Sequence, residues 1–478
     1  MNLANGSLPI NCSTIRIVRL AAIAWMIVAV TFVRATAIAS AADDRRPPNI
    51  VVILVDDLGW ADLGCYGNTF HETPSIDRLA SQGMRFTNGY AACTVCSPTR
   101  AAMLTGRYSA RLHVTDWIAG HNRPKAPLKI PDWTKQLVSE EVTLAEALGA
   151  AGYVTAHIGK WHLGGEGHAP KDQGFDVAIG GDHRGQPPSY FSPYGIPAIA
   201  DGPKGEFLTD RESSEAVKFI AANKEKPFLL CLWHYAVHTP LAGKPEVIAH
   251  YKEKARRENL SRNATYAALV DSVDQSTGRV LAALDEHGLT QNTLVAFTSD
   301  NGGLVLRDVT SNAPLRSGKG SPYEGGHRVP LIVRWPGVVG PLTTTDVPAS
   351  TIDFFPTLLA AAGTAPPKDV TIDGVDLSPV LTRSGNLDRD ALYWHYPHYH
   401  PGGATPYSAI RRGKYKLIEY FEDRPVELYD LAADEGESTN LTEQSPDVAK
   451  DLLARLTKWR EAVGAQLPMP NPSRKAGG

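Results

Sequence analysis

The 478-residue sequence predicts an α/β fold with a mostly parallel central sheet flanked by helices. Short apolar runs alternate with amphipathic helical patterns, the rhythm of βαβ units. Polar residues suited to chemistry follow directly on four of those runs, where open α/β sheets hold ligands. From about Asp373 onward the rhythm changes to paired strands and one last helix, which predicts a small α+β C-terminal subdomain with an antiparallel sheet.

The elements follow in order. Residues 49–55, N-I-V-V-I-L-V, form a continuous apolar run of the kind a strand shows when both its faces are covered. Thr73-Pro74 opens a helix through Ala80, with Gly83 just beyond it. Thr143 and Glu146 form a capping box for a helix that stops at Gly152. Residues 153–158, 228–233 and 294–298 read as further strands. Between the last two, residues 264–286 read as a long helix, with Tyr266, Leu269, Val270, Val273, Val280, Leu281 and Leu284 on one face and Gly288 after its end. Residues 415–420 and 426–429 read as antiparallel strands, 448–463 as the final helix, and 468–478 as a Pro-rich tail. The predicted domains are therefore 48–372 and 373–478.

The first 41 residues read as a signal peptide. Arg16 and Arg19 precede the apolar run 20–33, and Ala39-Ser40-Ala41 fits a signal-peptidase site. The alternative is a retained anchor, but the run is shorter than the roughly 20 residues of a spanning helix. An exported, periplasmic or secreted protein is expected, with no stable membrane span after cleavage. Charge is near balance, with 48 basic and 51 acidic residues and no basic stripe, so no nucleic acid partner is expected. Of five cysteines, Cys12 lies in the leader, leaving Cys65, Cys93, Cys96 and Cys231. Four is too few for a disulfide framework in a chain of this size, and a Cys65–Cys93 bridge stays open.

Asp56-Asp57, Lys160 with His162, His238, and Asp300-Asn301 each follow a predicted strand. Asp56, Asp57, Asp300 and Asn301 offer only oxygen donors, which suit Ca²⁺ or Mg²⁺. An acidic pair capping a turn would look the same. No His or Cys cluster has zinc spacing. Cys96 precedes Ser97-Pro98, a helix opening that runs to about Leu104, and so sits at a helix N-terminus that favours an anion. A buried structural thiol and a dipole-activated thiolate nucleophile are equally consistent with that spacing.

The run C-S-P-T-R-A-A-M-L-T-G-R at 96–107 resembles the signature of type I, formylglycine-dependent sulfatases. The resemblance extends in order along the chain. It includes N-I-V-V-I-L-V-D-D-L-G-W at 49–60, T-P-S-I-D-R-L-A at 73–80, H-I-G-K-W-H-L-G at 157–164 and H-Y-A-V-H-T-P at 234–240. T-S-D-N-G-G at 298–303, G-K-G-S-P-Y-E-G-G-H-R-V-P at 318–330 and D-L-A-A-D-E-G-E-S-T-N-L at 430–441 complete it. The resemblance implies an alkaline-phosphatase-like sandwich and sulfate ester hydrolysis through a formylglycine hydrate and a covalent sulfo-enzyme. The aldehyde would be made from Cys96 by a formylglycine-generating or sulfatase-maturing enzyme. It implies a Ca²⁺ site, with Mg²⁺ the alternative, formed by Asp56, Asp57, Asp300, Asn301 and the modified Cys96. Arg100 and Lys160 resemble the residues that hold formylglycine and sulfate, and His162 the partner of the formylglycine hydroxyl. His238 and Lys319 resemble the groups that bind sulfate and protonate the leaving oxygen.

The chain resembles bacterial arylsulfatase and N-acetylgalactosamine-sulfatase relatives more than choline sulfatases, so a sulfated sugar or an aryl sulfate is the expected substrate. A phosphoesterase or phosphonate monoester hydrolase is the enzymatic rival, and an inactive sulfated-glycan binder the non-enzymatic one. Trp117, His183, Tyr190 and His395 are the candidate sugar contacts, from Asp116-Trp117, His183-Arg184, Tyr190 by itself and the aromatic cluster 394–400.

Overall fold

The computed structural model describes residues 46–121 and 123–472, so the leader and its cleavage site lie outside the described residues. Its main sheet is eight-stranded: β1 (Asn49–Val55), β2 (Met84–Phe86), β3 (Val154–Gly159), β4 (Val177–Ile179), β5 (Phe228–Trp233), β6 (Thr293–Ser299), β7 (Leu331–Arg334) and β8 (Thr343–Thr345). The strand order is β8-β2-β7-β6-β1-β5-β3-β4. The block β6-β1-β5-β3-β4 is wholly parallel. Only β7 runs antiparallel to its neighbours, β2 and β6.

The unbroken apolar run of β1 has a simple cause. Val51, Ile53 and Val55 point into one core, with α1 (Pro74–Ser81), α4 (Leu208–Ala222) and α5 (Ala264–Glu286). Ile50, Val52 and Leu54 point into the other, with α2 (Cys96–Thr105), α3 (Leu144–Ala150) and α6 (Phe354–Ala361). A strand buried on both faces cannot alternate apolar with polar residues. The predicted face of α5 is buried throughout. The capping box of α3 forms, with Glu146 N donating to Thr143 Oγ1 at 3.2 Å and Thr143 N donating to Glu146 Oε2 at 2.8 Å. Cys65 and Cys93 are both free thiols, so the bridge left open by the sequence is not made. No helix among the described residues is long and apolar enough to cross a membrane.

A separate four-stranded antiparallel sheet follows: β9 (Leu392–Tyr396), β10 (Tyr407–Arg412), β11 (Tyr415–Tyr420) and β12 (Glu427–Asp430). One face of it packs Ile410, Leu417 and Leu428 against Ala449, Leu452 and Leu456 of α7 (Pro446–Val463). Its other face packs Trp394, Tyr396, Tyr407 and Ile418 against Tyr90, Cys93 and Val95, the segment that leads into Cys96.

A buried charge cluster joins the two sheets. Lys416 of β11 lies 3.0 Å from Glu324 Oε1 and 2.9 Å from Glu437 Oε1, and all three side chains are fully buried. Glu324 also binds Arg328 at 2.7 Å and accepts a 2.6 Å hydrogen bond from Tyr90. Because Glu324 sits five residues beyond Lys319, this cluster braces the segment that carries Lys319. Lys416→Met removes one partner and leaves two buried carboxylates against fewer cations, which costs about 3–5 kcal/mol. The expected result is a clear fall in the denaturation midpoint at neutral pH, and a midpoint within error of the parent would show that the cluster does not hold the sheets together.

Candidate active site

The register of the parallel strands decides which polar residues meet. Val55 pairs with Ser299, so the residues after them, Asp56 and Asp300, stand side by side. Gly159 pairs with Trp233, which brings Lys160 beside the segment that continues to His238. The backbones stay tied past the strand ends: Asp300 N donates to Val55 O at 3.1 Å, Asp56 N to Ala236 O at 2.9 Å, and Lys160 N to Trp233 O at 2.7 Å. Gly159 has a positive φ of 101°, and a Cβ there would collide with the Trp233 carbonyl, so glycine lets β3 end this close to β5. Asp57 and His162 also take left-handed backbone, with φ of 63° and 59°. Such geometry is uncommon outside glycine and gathers at functional sites.

The helix α2 enters from the other side. It begins at Cys96, and its N-cap, Val95, offers no side-chain cap, so the first N–H groups remain available to an anion. All ten of its residues are buried. Arg100, one turn in, donates to Asp300 Oδ2 from Nε at 2.9 Å and Nη2 at 2.7 Å, and from Nη1 to Lys160 O at 2.8 Å. Lys160 Nζ lies 2.5 Å from Asp56 Oδ2. Lys319 Nζ lies 2.7 Å from Asp57 Oδ1, and His238 Nε2 3.6 Å from Asp57 Oδ2. Cys96 Sγ is 3.3 Å from His162 Nδ1, while His162 Nε2 bonds the Ile118 carbonyl. Ser97 Oγ donates to His162 O at 2.9 Å and accepts from Ile118 N at 3.1 Å. The sequence therefore brings together Asp56, Asp57, Cys96, Arg100, Lys160, His162, His238, Asp300, Asn301 and Lys319.

The charges are unevenly balanced. Burial, with Asp300 and Asp57 close by, pushes Asp56 well above the usual carboxylate range despite Lys160. Burial acts the same way on Asp57, but Lys319, His238 and Lys160 outweigh it and hold that carboxyl below its ordinary range. Burial and the Lys160 ammonium push His162 well below its ordinary value, so the ring is neutral. Burial, with Lys319 adjacent, pushes His238 down to about 3. Burial also raises the Cys96 thiol, against Lys160 and Lys319, so residue 96 is not a ready thiolate.

A cation fits here. Asp56 Oδ1 and Asn301 Oδ1 are buried and have no hydrogen-bond partner, whereas buried polar atoms are nearly always satisfied. Ligand atoms of Asp56, Cys96 and Asp300 lie within 4.8 Å of one another, as do those of Asp56, Asp57 and His238. The oxygen-rich donor set suits a hard cation.

Asp57, Cys96, His162, His238 and Lys319 face a cavity of about 450 Å³, walled by Trp117, Ile118, His121, Gln186, Leu304 and His400 among others. Of the four expected sugar contacts, Trp117 lines this cavity. His183 is exposed and not part of its lining. Tyr190 is a correction: it is buried, and its hydroxyl donates to the carbonyls of Tyr235 at 2.8 Å and His238 at 2.9 Å, which fixes the His238 segment from behind. His395 is also a correction, being buried on β9 between Ser408 Oγ and Gln466 O, each at 2.8 Å. Both have polar tips satisfied inside the fold, so neither reaches the cavity. His121 was not singled out by the sequence, because it sits in an aperiodic loop with no motif around it. His400 lay in the aromatic cluster but carried no signal separating it from its buried neighbours.

Comparisons with known proteins identify the family. The sulfatase family model matches residues 48–364, and the model for the C-terminal region of N-sulphoglucosamine sulphohydrolase matches residues 318–462. The chain is 34% identical to human arylsulfatase A over 88% of each chain. It is 35% identical to rat N-acetylgalactosamine-6-sulfatase over 74% of this chain and 69% of that one. Among solved structures it is similar to Ps i-CgsB in complex with k-i-k-neocarrahexaose, with a TM-score of 0.75 and 30% identity over 90% of this chain and 95% of the other. Matched along most of its length, the chain belongs to the sulfatase family, enzymes that hydrolyse sulfuric esters.

Proposed function

We propose that this chain hydrolyses sulfate esters of carbohydrates, using a formylglycine at position 96 and a calcium ion held by Asp56, Asp57, Asp300 and Asn301. The observation that carries this reading is the meeting of Cys96, on an uncapped helix N-terminus, with Asp56 and Asp300 in one buried cluster. Cys96 Sγ marks where an oxygen of the aldehyde hydrate would lie. That hydrate supplies two hydroxyls, one to attack sulfur and one to lose a proton as sulfate departs. Calcium supplies positive charge that offsets the negative charge of the ester.

The chain's own groups do the rest. With His162 Nε2–H donating to the Ile118 carbonyl, the Nδ1 lone pair faces position 96. A neutral imidazole so aimed can accept a hydroxyl proton from residue 96. His238 Nδ1 bonds the Thr239 carbonyl at 2.6 Å, which leaves Nε2 toward the cavity. The negative charge of a bound ester favours protonation of this nitrogen, and the imidazolium Nε2–H, together with the Lys319 ammonium, is then placed to protonate the departing oxygen. Arg100 and Lys160 neutralise the carboxylates and orient them, since both are engaged there. Trp117 offers an aromatic face for a sugar ring at the cavity wall. Relatives named for N-acetylgalactosamine 6-sulfate and the neocarrahexaose complex support a carbohydrate substrate.

Mass spectrometry of the peptide containing residue 96 should show formylglycine in active protein, and 4-nitrophenyl sulfate should turn over far faster than 4-nitrophenyl phosphate. Full activity with an intact thiol at position 96, or preference for the phosphate, would overturn the mechanism or the reaction. Cys96→Ser has a single hydroxyl and should stop after one sulfuryl transfer.

Asp300→Ala should abolish turnover and remove stoichiometric calcium from the purified protein, as read by elemental analysis. Zinc in place of calcium in active parent protein would refute the assigned ion.

The two histidines should separate kinetically. An alkoxide leaves poorly without a proton, whereas a nitrophenolate leaves unaided. His238→Ala should therefore slow sugar-sulfate hydrolysis by about 10²–10⁴-fold and nitrophenyl-sulfate hydrolysis much less. His162→Ala should slow both alike. Equal losses on both substrates for His238→Ala would move the acid role elsewhere.

A further inference from the structure

Beside the catalytic cavity lies a groove that the chemistry above does not use. Just after His121 the chain carries Arg123, Lys125, Lys129 and Lys135 against one acid, Asp132. Arg123, Lys129, Lys135 and Trp133 help line a second cavity of about 500 Å³. These three cations are exposed, and none forms an ion pair among the described residues. In a chain of formal net charge −3, this run carries a local excess of positive charge.

The groove is built, not a loose loop. Leu128 and Lys129 pair antiparallel with Met469 and Pro470. Asn471 Nδ2 donates to Pro124 O at 2.9 Å and Ala126 O at 2.8 Å, and Leu128 N donates to the Tyr399 hydroxyl at 3.1 Å. Its wall also touches that of the catalytic cavity. The Trp133 ring packs so closely on Gly120 that a Cβ there would approach Trp133 Cζ2 to 2.8 Å. Gly120 belongs to the short segment that brings Trp117 and His121 to the cavity wall. Burial and the Arg123 guanidinium together hold His121 below its ordinary range, so the charge of the groove is felt at that wall.

We propose that this groove binds the continuing chain of a sulfated polysaccharide whose reacting ester lies in the catalytic cavity, the cations meeting further sulfates and Trp133 offering an aromatic face to a sugar. The proposal rests on the carbohydrate reading given above. A repeating polyanion matches a row of exposed cations without ion-pair partners beside an aromatic ring, Lys135 Nζ standing 5.7 Å from the Trp133 ring centroid, and Arg in particular suits planar recognition of sulfate-like oxyanions. A single sulfated monosaccharide fills the catalytic cavity and has no use for the groove.

The test uses the triple variant Arg123→Gln, Lys129→Gln and Lys135→Gln, with dextran sulfate as the probe. Its kcat and KM on 4-nitrophenyl sulfate should equal those of the parent. Its affinity for dextran sulfate, measured by titration calorimetry, should fall by about tenfold or more, and the parent's affinity should weaken as salt is raised. Uncharged dextran should bind neither protein. Equal dextran sulfate affinity for parent and variant would overturn the proposal. So would parent binding to phosphatidylserine vesicles without binding to dextran sulfate, which would mark a membrane-facing patch. A parent without sulfatase turnover but with variant-sensitive dextran sulfate binding would remove the hydrolase reading and retain the groove.

Discussion

Three carboxylates, Asp56, Asp57 and Asp300, are buried within one small volume, and this concentration of negative charge is the constraint on which the site depends. Charges taken out of water are tolerated only when paired. Arg100, Lys160 and Lys319 supply the pairing, and each reaches its carboxylate from a different element. The compensation is uneven. Asp57, shared by Lys319 and His238, is held ionised, whereas Asp56 is pushed toward its protonated form and keeps one oxygen without a partner. Asp56 Oδ1 and Asn301 Oδ1 thus remain without hydrogen-bond partners, and these are the oxygens that the proposed cation would take up.

That constraint explains the rest of the fold. Side-by-side carboxylates require two strands to end at one level, and the parallel pairing of β1 with β6 does this through the register of Val55 with Ser299. Parallel strands need crossover helices on both faces, hence two cores and strands that are apolar throughout. The basic partners must then come from beyond the sheet: Arg100 from a helix that is buried along its whole length, and Lys319 from a segment braced by the antiparallel sheet through Glu324, Lys416 and Glu437.

The parts of this arrangement nearest the sheet were legible in the sequence for the same reason. A strand buried on both faces announces itself as an apolar run, and the polar residues after it are conspicuous, as with Asp56-Asp57 after 49–55. Phe228–Trp233 and Ala264–Glu286 emerge with the bounds the sequence predicts, because local pattern and tertiary environment agree there. Legibility ends where partners are distant in sequence. Tyr190 and His395 look like sugar contacts because aromatic and imidazole groups suit that role, yet their polar tips meet the carbonyls of Tyr235, His238 and Gln466. Nothing in the sequence marks Lys416 as buried between two glutamates, since a lysine on a strand normally faces solvent.

This difference separates two jobs in the molecule. Groups that would touch the sulfate stand just past strand ends, on the first turn of α2 and, for Lys319, on the braced segment, and moving any of them disturbs the buried charge balance. Groups that would touch the rest of the substrate stand on the segment from Asp116 to Lys135 and around His400, which are loops. Those loops are fixed from the antiparallel side: Tyr396 donates to Asp116 at 2.8 Å, Asp116 accepts from Trp117 N at 2.9 Å, and Tyr399 supports Leu128. The two systems meet at Ile118, whose carbonyl orients His162 while its neighbour Trp117 lines the cavity wall. Substitutions in Trp117, His121 or the basic groove leave the carboxylate pairing intact, so substrate preference can vary without unbalancing the charges that make sulfate transfer feasible. A change that shifts the Ile118 carbonyl would couple the two, through the ring of His162.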